Sequence, residues 1–598
     1  MDNAPGEKHI CLDNESTTIH QKKLFALLCI PASVVTVFLV FSQVFVSATP
    51  DHWCRVPELD NFSYDGNNSL TEEEKKTLSI PFRNGRYEKC LMYDIDYRKR
   101  LSSFNKSQDV TNFTLPTIPC RHGWNYDKKN YDSTLVTELN LVCDNSWKPS
   151  LATTLFYLGS LIGSIVFGYI SDRYGRRPAL LLVLIPDVLI SVMTCFSPNY
   201  MVYTLLRTLS GLFFPALYQI SFVLALELVG HAQRTTIGVI IAMCFALGMC
   251  LLAILSHFLR DAFKLSLATS VPLIVMLSYY WLIPESPRWL LSRNRGEEAR
   301  IIIAKLTKPK GTWLPQCYPS KSLKEVFSSS PEAKPELRST TKARRKEEQR
   351  VTLFDALGYS QTRIKFLILS FNWIANSIVY NGLSYNVSNL GISDQLAFFI
   401  GGIVEIPGHV ATLYTMNRYG RRNVLFFMMF SGGLACISCM LVAEDNVWLT
   451  LGLAMFGKFG NAAAFSVFYV FIGELLPTVI RSQAMGVASF VAGIGLLGFP
   501  QIIRLADYDR ALPLFVMGVI SVTGGAMTLF LPETLNSQLP QIIADSESQK
   551  LRCGLFRNAM CSVPEEDLDV SYRKDDKRER EIETENEENV RLSTPLKS

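Results

Sequence analysis

Charged residues are scarce in this sequence. Asp, Glu, Lys and Arg make up 19% of its 598 residues, against about 25% in a typical soluble protein. The net charge of +5 is too small to indicate nucleic-acid binding by the whole chain. Its 14 cysteines are too sparse for a small disulfide-stabilised scaffold. Hydrophobic residues supply 48%, yet the mean hydropathy is only +0.17, so very apolar and very polar stretches must alternate.

Signatures of enzymes are also missing. The sequence contains no phosphate-binding GxxxxGK[ST], no HExxH and no pair of CxxC motifs with metal-ligand spacing. One CxxC, Cys436 to Cys439, lies in an apolar stretch, where core packing is the better interpretation. We therefore predict no catalytic residue, no metal and no cofactor, and we expect that the protein is not an enzyme.

Long apolar runs are abundant. A helix needs roughly 20 apolar residues to cross the hydrocarbon core of a bilayer. The runs that meet this length span residues 24–46, 150–171, 178–198, 201–225, 236–257, 264–284, 364–386, 394–415, 423–443, 447–471, 483–506 and 511–532. The first is too long for the apolar part of a signal peptide and has no small-residue cleavage motif, so it is predicted to be retained. The sequence predicts an all-α membrane protein with twelve spans.

Four polar segments, 1–23, 47–149, 285–363 and 534–598, separate or flank these runs. Segment 285–363 carries 17 Lys or Arg against 9 Asp or Glu. Cytoplasmic loops of membrane proteins are enriched in Lys and Arg, which predicts that this linker and both termini are cytoplasmic. The tail 534–598, with 14 acidic and 10 basic residues, is predicted to be disordered.

The same count of spans places segment 47–149 outside the cell. It contains four Asn-x-Ser/Thr glycosylation sequons, at Asn61, Asn67, Asn105 and Asn112. It also contains four cysteines: Cys54, Cys90, Cys120 and Cys143. An even set in an oxidising compartment predicts two disulfides, and all three connectivities stay open. We expect a glycosylated, multi-pass protein of the plasma membrane.

The chain contains an internal repeat. Three motifs recur at a nearly constant offset: Asp172–Arg177 as Asn417–Arg422, Glu227–Leu228 as Glu474–Leu475, and Pro284–Ser286 as Pro532–Thr534. The repeat predicts two pseudo-symmetric six-helix halves, 24–284 and 364–533. Parallel halves of this kind suit alternating access around a site at the midplane of the membrane.

Several motifs carry a family resemblance. Gly168–Arg177 resembles the signature between helices 2 and 3 of the major facilitator superfamily. Pro284–Leu290 resembles a motif that follows helix 6 in sugar porters and organic ion transporters. The start of the first loop, Thr49–Cys54, together with Tyr380–Gly391 and Glu474–Arg481, is similar to the organic cation, carnitine and anion transporters of solute carrier family 22. The match covers roughly residues 20–535.

The resemblance implies the major facilitator fold with a large extracellular loop between helices 1 and 2. It also implies alternating-access transport of small organic cations or zwitterions, such as carnitine or carcinine. The expected partners are the substrate and membrane lipids, without nucleic acid. Two alternatives stay open: an organic anion transporter, or a non-transporting scaffold or receptor with the same fold.

The repeated motifs supply charged residues at cytoplasmic helix ends. The carboxylates are Asp172, Glu227, Glu285, Glu474 and Glu533, and the arginines are Arg176, Arg177, Arg234, Arg421, Arg422 and Arg481. The resemblance implies that their ion pairs hold the two halves shut on the cytoplasmic side. The alternative is that they only fix helix ends. Asn417 replaces the acidic residue of the first motif, which predicts a weaker latch in the second half.

Ionisable residues inside spans are functional candidates because burying them is costly. Glu405, close to Pro407, is the predicted cation site. Its alternative role is internal pairing with Arg207 or Lys458, which occupy comparable positions in the two halves and are predicted to be structural. Asp187 is also predicted to be structural.

Aromatic rings supply the other part of a cation site, because each ring face contributes about 0.5–2 kcal/mol to binding an ammonium group. The predicted substrate-contacting rings are Trp373, Tyr380, Phe465, Tyr469, Tyr218 and Phe245. The first four lie on helices 7 and 10, which the resemblance places around the cavity. One position departs from the family: Gly493 stands where cation-type relatives carry an acidic residue and anion-type relatives an arginine.

Overall fold

A computed structural model describes residues 19–60, 63–64, 68–83, 86–97, 115–228, 234–293, 295–307, 356–443, 445–477, 480–535, 540 and 546–547. The asparagines of all four sequons, most of the linker 285–363 and most of the tail 534–598 lie outside the described residues. The side chains of Arg234 and Arg481 lie outside them as well. The predictions for these parts therefore stay predictions.

Twelve main helices run through the described part of the chain. The first six are α1 (Ile19–Val46), α2 (Trp147–Tyr174), α3 (Arg176–Cys195), α4 (Tyr200–Glu227), α5 (Arg234–Phe258) and α6 (Ala262–Val275, extended by Met276–Ser278 and Tyr279–Leu282). The last six are α7 (Ser360–Tyr385), α8 (Asp394–Tyr419), α9 (Arg421–Ser438), α10 (Val447–Leu475), α11 (Arg481–Leu496, followed by Phe499–Ile503) and α12 (Leu512–Thr528). Eleven of these segments are long and apolar enough to cross a membrane, and α12 is a shorter apolar helix. The predicted fold class is confirmed.

The helix ends follow local chemistry. Asn199 caps α4 by accepting a hydrogen bond from the backbone N of Val202 at 3.0 Å, which satisfies one of the unpaired donors of a first turn. Glycines with positive φ separate α2 from α3 and α8 from α9: Gly175 at 111° and Gly420 at 91°. A Cβ at either glycine would overlap the carboxylate of a glutamate, Glu285 or Glu533. The two halves thus repeat a turn that only glycine suits.

Small residues bring helices close together, as is usual in membranes. A Cβ added to Gly163 of α2 would overlap the backbone of Leu212 in α4. Across the two halves, α5 packs on α8 and α2 packs on α11. Gly402 of α8 lies so near α5 that an added Cβ would stand 2.8 Å from Sγ of Cys250. The halves are therefore in direct contact along both pairs of helices.

The segment between α1 and α2 forms a small domain. Its antiparallel pairs join β1 (His52–Cys54) to β8 (Trp124–Tyr126), β2 (Ser63–Tyr64) to β3 (Asn68–Ser69), β4 (Phe82–Arg83) to β5 (Arg86–Tyr87), and β6 (Leu91–Tyr93) to β7 (Thr117–Pro119). Its short helices are Pro57–Asp60, Glu72–Ser79 and Leu135–Leu139, with a 3-10 turn at Cys143–Asn145. Of the three possible connectivities, the structure has Cys54–Cys120 and Cys90–Cys143. Two further helices, Pro287–Ser292 and Gly296–Thr307, follow α6.

Candidate transport site and gates

The predicted cation site is occupied by an internal ion pair. Glu405 of α8 and Lys458 of α10 are 0% and 1% exposed, and Lys458 Nζ lies 3.3 Å from Glu405 Oε1. The Tyr380 hydroxyl of α7 donates to Glu405 Oε2 at 3.0 Å. The alternative interpretation, internal pairing, is therefore what the structure shows, and Lys458 is the partner. A buried charge requires such compensation because burial removes its hydration.

Four of the predicted rings form one continuous cluster beside this pair. Tyr380 contacts Phe465 with ring centroids 5.5 Å apart, Phe465 contacts Tyr469 at 6.0 Å, and Tyr469 contacts Trp373 at 5.5 Å. Tyr469 is 44% exposed, whereas Trp373 is buried. Ring contacts therefore connect the exposed Tyr469, through Phe465, to Tyr380, whose hydroxyl donates to Glu405.

The other two predicted rings belong to the first half. Tyr218 of α4 and Phe245 of α5 contact each other with centroids 6.1 Å apart. Phe245 also contacts Phe41 of α1, which in turn contacts Phe398 of α8. The structure therefore does not join these two rings to the cluster of α7 and α10 by direct ring contact.

Arg207 and Asp187 are buried within the first half. Arg207 Nη2 donates to the carbonyl of Val40 at 3.3 Å, and the guanidinium lies 4.2 Å from the ring centroid of Phe156. Asp187 Oδ1 accepts from the hydroxyl of Ser210 at 3.2 Å. These contacts join α4 to α1, α2 and α3, which is the structural role that the sequence predicts for both residues.

The charged motif of the first half gathers around Arg176. Its guanidinium lies 3.0 Å from Glu227 and 2.8 Å from Asp172. Its backbone N donates to Glu285 at 2.9 Å, and the backbone N of Arg177 donates to the same carboxylate at 3.3 Å. A single cluster therefore holds together α2, α3, α4 and the segment after α6.

The second half repeats the arrangement with fewer contacts. Arg421 Nε lies 3.1 Å from Glu474, and its backbone N donates to Glu533 at 2.8 Å. Arg422 donates instead to the side chain of its neighbour Asn423. The side-chain amide of Asn417 donates a hydrogen bond to the carbonyl of Leu413 in its own helix. The second cluster therefore lacks the counterpart of the ion pair between Asp172 and Arg176.

In this conformation the described ion pairs of the charged motifs do not bridge the two halves, and the latch on the cytoplasmic side, which also includes the undescribed side chains of Arg234 and Arg481, stays a prediction. In the described part of the chain, every ion pair of the two clusters joins elements of the same half. The physical reason is geometric: each arginine stands at a helix start that the helix-end carboxylates of its own half surround. In this conformation the clusters brace each half rather than tie one half to the other.

The halves meet at the opposite end of the bundle. We call this the loop end, since segment 47–149 joins α1 to α2 there, and we call the other end the motif end. The Tyr385 hydroxyl of α7 donates to the carbonyl of Val40 in α1 at 2.6 Å. Tyr157 of α2 donates to Asn381 of α7 at 3.0 Å. The ring of Phe499 contacts both tyrosines, with centroids 5.2 and 5.3 Å away.

These residues form a seal that sequence reasoning missed. Tyr385 lies inside a motif used for the family resemblance, but nothing in the sequence indicated that its hydroxyl would cross to α1. Gly493 is explained in part by the same interface: a Cβ there would stand 2.7 Å from the side chain of Leu161 in α2. A side chain at position 493 would require the terminal methyl group of Leu161 to shift.

Comparisons with known proteins agree with the fold. The family described as sugar (and other) transporter matches residues 107–545. The organic cation transporter protein of Drosophila melanogaster is 35% identical over 88% of this chain and 92% of its own length. The organic cation/carnitine transporter 2 of Homo sapiens is 34% identical over 88% of this chain and 90% of its own. The partially occluded, inward-open xylose transporter XylE from E. coli aligns with a TM-score of 0.54, at 14% identity, over 87% of this chain and 100% of that one.

The fold and these relatives define a multi-pass membrane transporter of the major facilitator superfamily. The chain belongs to the organic cation and carnitine transporter family, solute carrier family 22. The prediction that it is a transporter and not an enzyme is confirmed by that membership.

Proposed function

We propose that this chain carries small organic cations or zwitterions across the plasma membrane by alternating access. The observation that carries the proposal is the buried carboxylate of Glu405 beside the ring cluster of α7 and α10. The relatives support the substrate class, since they include transporters named for organic cations, for carcinine and for carnitine.

Binding at this site is an exchange of ion partners. An ammonium group that follows the ring faces toward Tyr380 gains about 0.5–2 kcal/mol from each ring and competes with Lys458 for Glu405. A simple cation leaves the Lys458 ammonium unpaired in a buried site, which is costly. A zwitterion replaces both partners, since its ammonium pairs with Glu405 and its carboxylate with Lys458. The geometry therefore favours zwitterions over simple cations of equal size.

The charge pattern and the disulfides support the proposed topology. Two disulfides in the loop suit an oxidising, extracellular compartment, so the loop end faces outside. Both termini and the linker 285–363 then lie in the cytoplasm, and the four sequons of segment 47–149 are available for glycosylation. An inside-negative potential contributes about 2.3 kcal/mol per charge per 100 mV to the uptake of a cation, without ATP.

The conformation described here is closed on the outside. During transport the seal of Tyr157, Tyr385 and Phe499 must separate while the motif ends approach each other. The Arg176 and Arg421 clusters keep each half rigid, so that it rotates as one body around the midplane. In this scheme the predicted latch residues brace each half at the motif end. The motif end is the end that closes when the loop end opens.

The function is tested by uptake of radiolabelled tetraethylammonium, carnitine, carcinine and an organic anion into cells that express the protein. Glu405→Gln keeps the shape of the side chain and removes its charge, so we expect loss of cation and zwitterion uptake per molecule of surface-labelled protein, beyond any fall in surface level caused by the unpaired Lys458. Asp187→Asn is the matched control, because it neutralises another fully buried carboxylate away from the site. It should reduce uptake only in proportion to surface protein.

Three outcomes contradict the proposal. Uptake of the anion alone would make the chain an organic anion transporter. Surface protein that takes up none of the compounds would indicate a scaffold or receptor. Equal loss of uptake in both carboxylate variants, at equal surface level, would remove the special role of Glu405.

A further inference from the structure

Part of the loop domain is packed against both halves at the loop end. Tyr131 and Val136 of the loop are buried in the same apolar core as Phe45 of α1 and Phe398 of α8. Phe45 and Phe398 contact each other with ring centroids 5.3 Å apart. The loop therefore covers the line along which the two halves meet.

The loop is fixed firmly to the first half at this place. The backbone N of Asp132 donates to the carbonyl of Arg260, and the backbone N of Ala262 donates to the carbonyl of Ser133, both at 3.0 Å. These bonds tie the segment to the turn between α5 and α6. Tyr131 is therefore attached to the first half and should move with it.

The Tyr131 hydroxyl reaches the second half. It donates to Asp394 Oδ2 at 2.6 Å, across 263 residues of chain. Asp394 is the first residue of α8, and the N-cap Ser393 makes no side-chain capping bond there. Burial, together with the nearby carboxylate, raises the pKa of Tyr131 well above its usual value, so the hydroxyl keeps its proton and is the donor. Hydrogen bonds from a neutral donor to a carboxylate are among the stronger ones in proteins.

We propose that Tyr131 and Asp394 are gating residues of the transport cycle, and that the loop domain is a moving part of the outer gate. The proposal rests on the proposed alternating-access function. Because the bond joins the two halves, it must break whenever the loop end opens. Its removal also leaves the half-buried Asp394 carboxylate without this donor, which further disfavours the closed state. Both effects shift the equilibrium toward the form that is open at the loop end.

The test uses Tyr131→Phe, which removes one oxygen and keeps the ring in the core. Hydrogen bonds to charged groups contribute about 1.5–3 kcal/mol, so we expect the opening equilibrium to shift at least about tenfold. In proteoliposomes, the apparent KM at the loop face should fall relative to the KM at the motif face by about the same factor. Asp394→Ala should change the ratio of the two KM values by the same factor. Asp394→Asn keeps a hydrogen-bond acceptor and should change this ratio less. The double variant Tyr131→Phe/Asp394→Ala should add little to either single variant.

A second readout needs no substrate. Val387 is 1% exposed and lies in the same core, so Val387→Cys reports opening through its reaction with a membrane-impermeant thiol reagent. The reaction should be about tenfold faster in the Tyr131→Phe background, with the same protein lacking Val387→Cys as the blank. Tyr126→Phe is the matched control, because the Tyr126 hydroxyl donates to Asn140 at 3.1 Å within the loop itself. It should change neither the KM ratio nor the reaction rate.

Unchanged KM ratio and unchanged thiol reaction in Tyr131→Phe would overturn the gating role, whatever happens to surface level. The same two results in Tyr126→Phe as in Tyr131→Phe would also overturn it, because any loss of loop packing would then suffice. If the wild type transported nothing, the proposed function would fail, yet the thiol reaction would still decide whether the pair holds the loop end closed.

Discussion

Replacing Lys458 by Met separates the two roles of the buried ion pair. Lys458 and Glu405 are 1% and 0% exposed and 3.3 Å apart. Removing one partner of such a pair costs about 3–5 kcal/mol because a charge is left buried and unpaired. In Lys458→Met, Glu405 loses its cationic partner and keeps the hydrogen bond from Tyr380. We therefore expect clear destabilisation, measured as a lower Tm of the purified protein in lipid nanodiscs.

The same substitution should act in opposite directions on two substrates. A simple cation no longer competes with Lys458 for Glu405, so its KM should fall by about tenfold, the value of one charged interaction of about 1.4 kcal/mol. A zwitterion loses its carboxylate partner, so its KM should rise by a comparable factor. Uptake of tetraethylammonium and of carnitine over a range of concentrations measures both in the same cells.

A variant with both residues of the ion pair replaced completes the double-mutant cycle. Glu405→Gln with Lys458→Met replaces the pair by neutral groups of similar volume, which is often neutral or stabilising, so its Tm should return toward that of the wild type. Transport of both substrates should stay low. Parallel changes in the two KM values, or a Tm in the double variant below both single variants, would refute the ion-exchange mechanism.

Three further predictions concern other contacts of the fold. Tyr380→Phe keeps the ring against its aromatic neighbour and removes the hydroxyl, so cation uptake should show a changed KM at normal surface level, and unchanged kinetics would exclude the hydroxyl from the site. Gly420→Ala forces a side chain onto a left-handed residue and into a carboxylate, so little protein should reach the surface, whereas Gly168→Ala, with nothing within 4 Å, should leave the surface level intact. Replacing Cys90 and Cys143 together by Ser removes one disulfide and should cost about 2–5 kcal/mol, seen as faster proteolysis of the loop; unaltered proteolysis would contradict a stabilising role.

Much of the fold could be predicted from the sequence. A transmembrane helix must satisfy its own backbone hydrogen bonds within a stretch of about 20 residues. Each such helix can therefore be recognised from a contiguous apolar run of the sequence. The recurrence of Asp172–Arg177 as Asn417–Arg422 likewise indicates two halves without any knowledge of packing. The candidate rings of α7 and α10 could be named from helical position, and the structure brings those four together.

The sequence by itself determined the number of spans, the duplication and the presence of two disulfides. Only the tertiary structure decided which cysteines pair, that Lys458 rather than Arg207 neutralises Glu405, and that the charged motifs stay within their own halves. It also decided that the halves meet through tyrosines at the loop end. Each of these facts depends on the distance between atoms that are far apart in the chain, for example 53 residues in one disulfide and 345 for Tyr385 and Val40. Such distances arise from the packing of the whole bundle, whereas apolar length and repeated motifs are properties of contiguous chain.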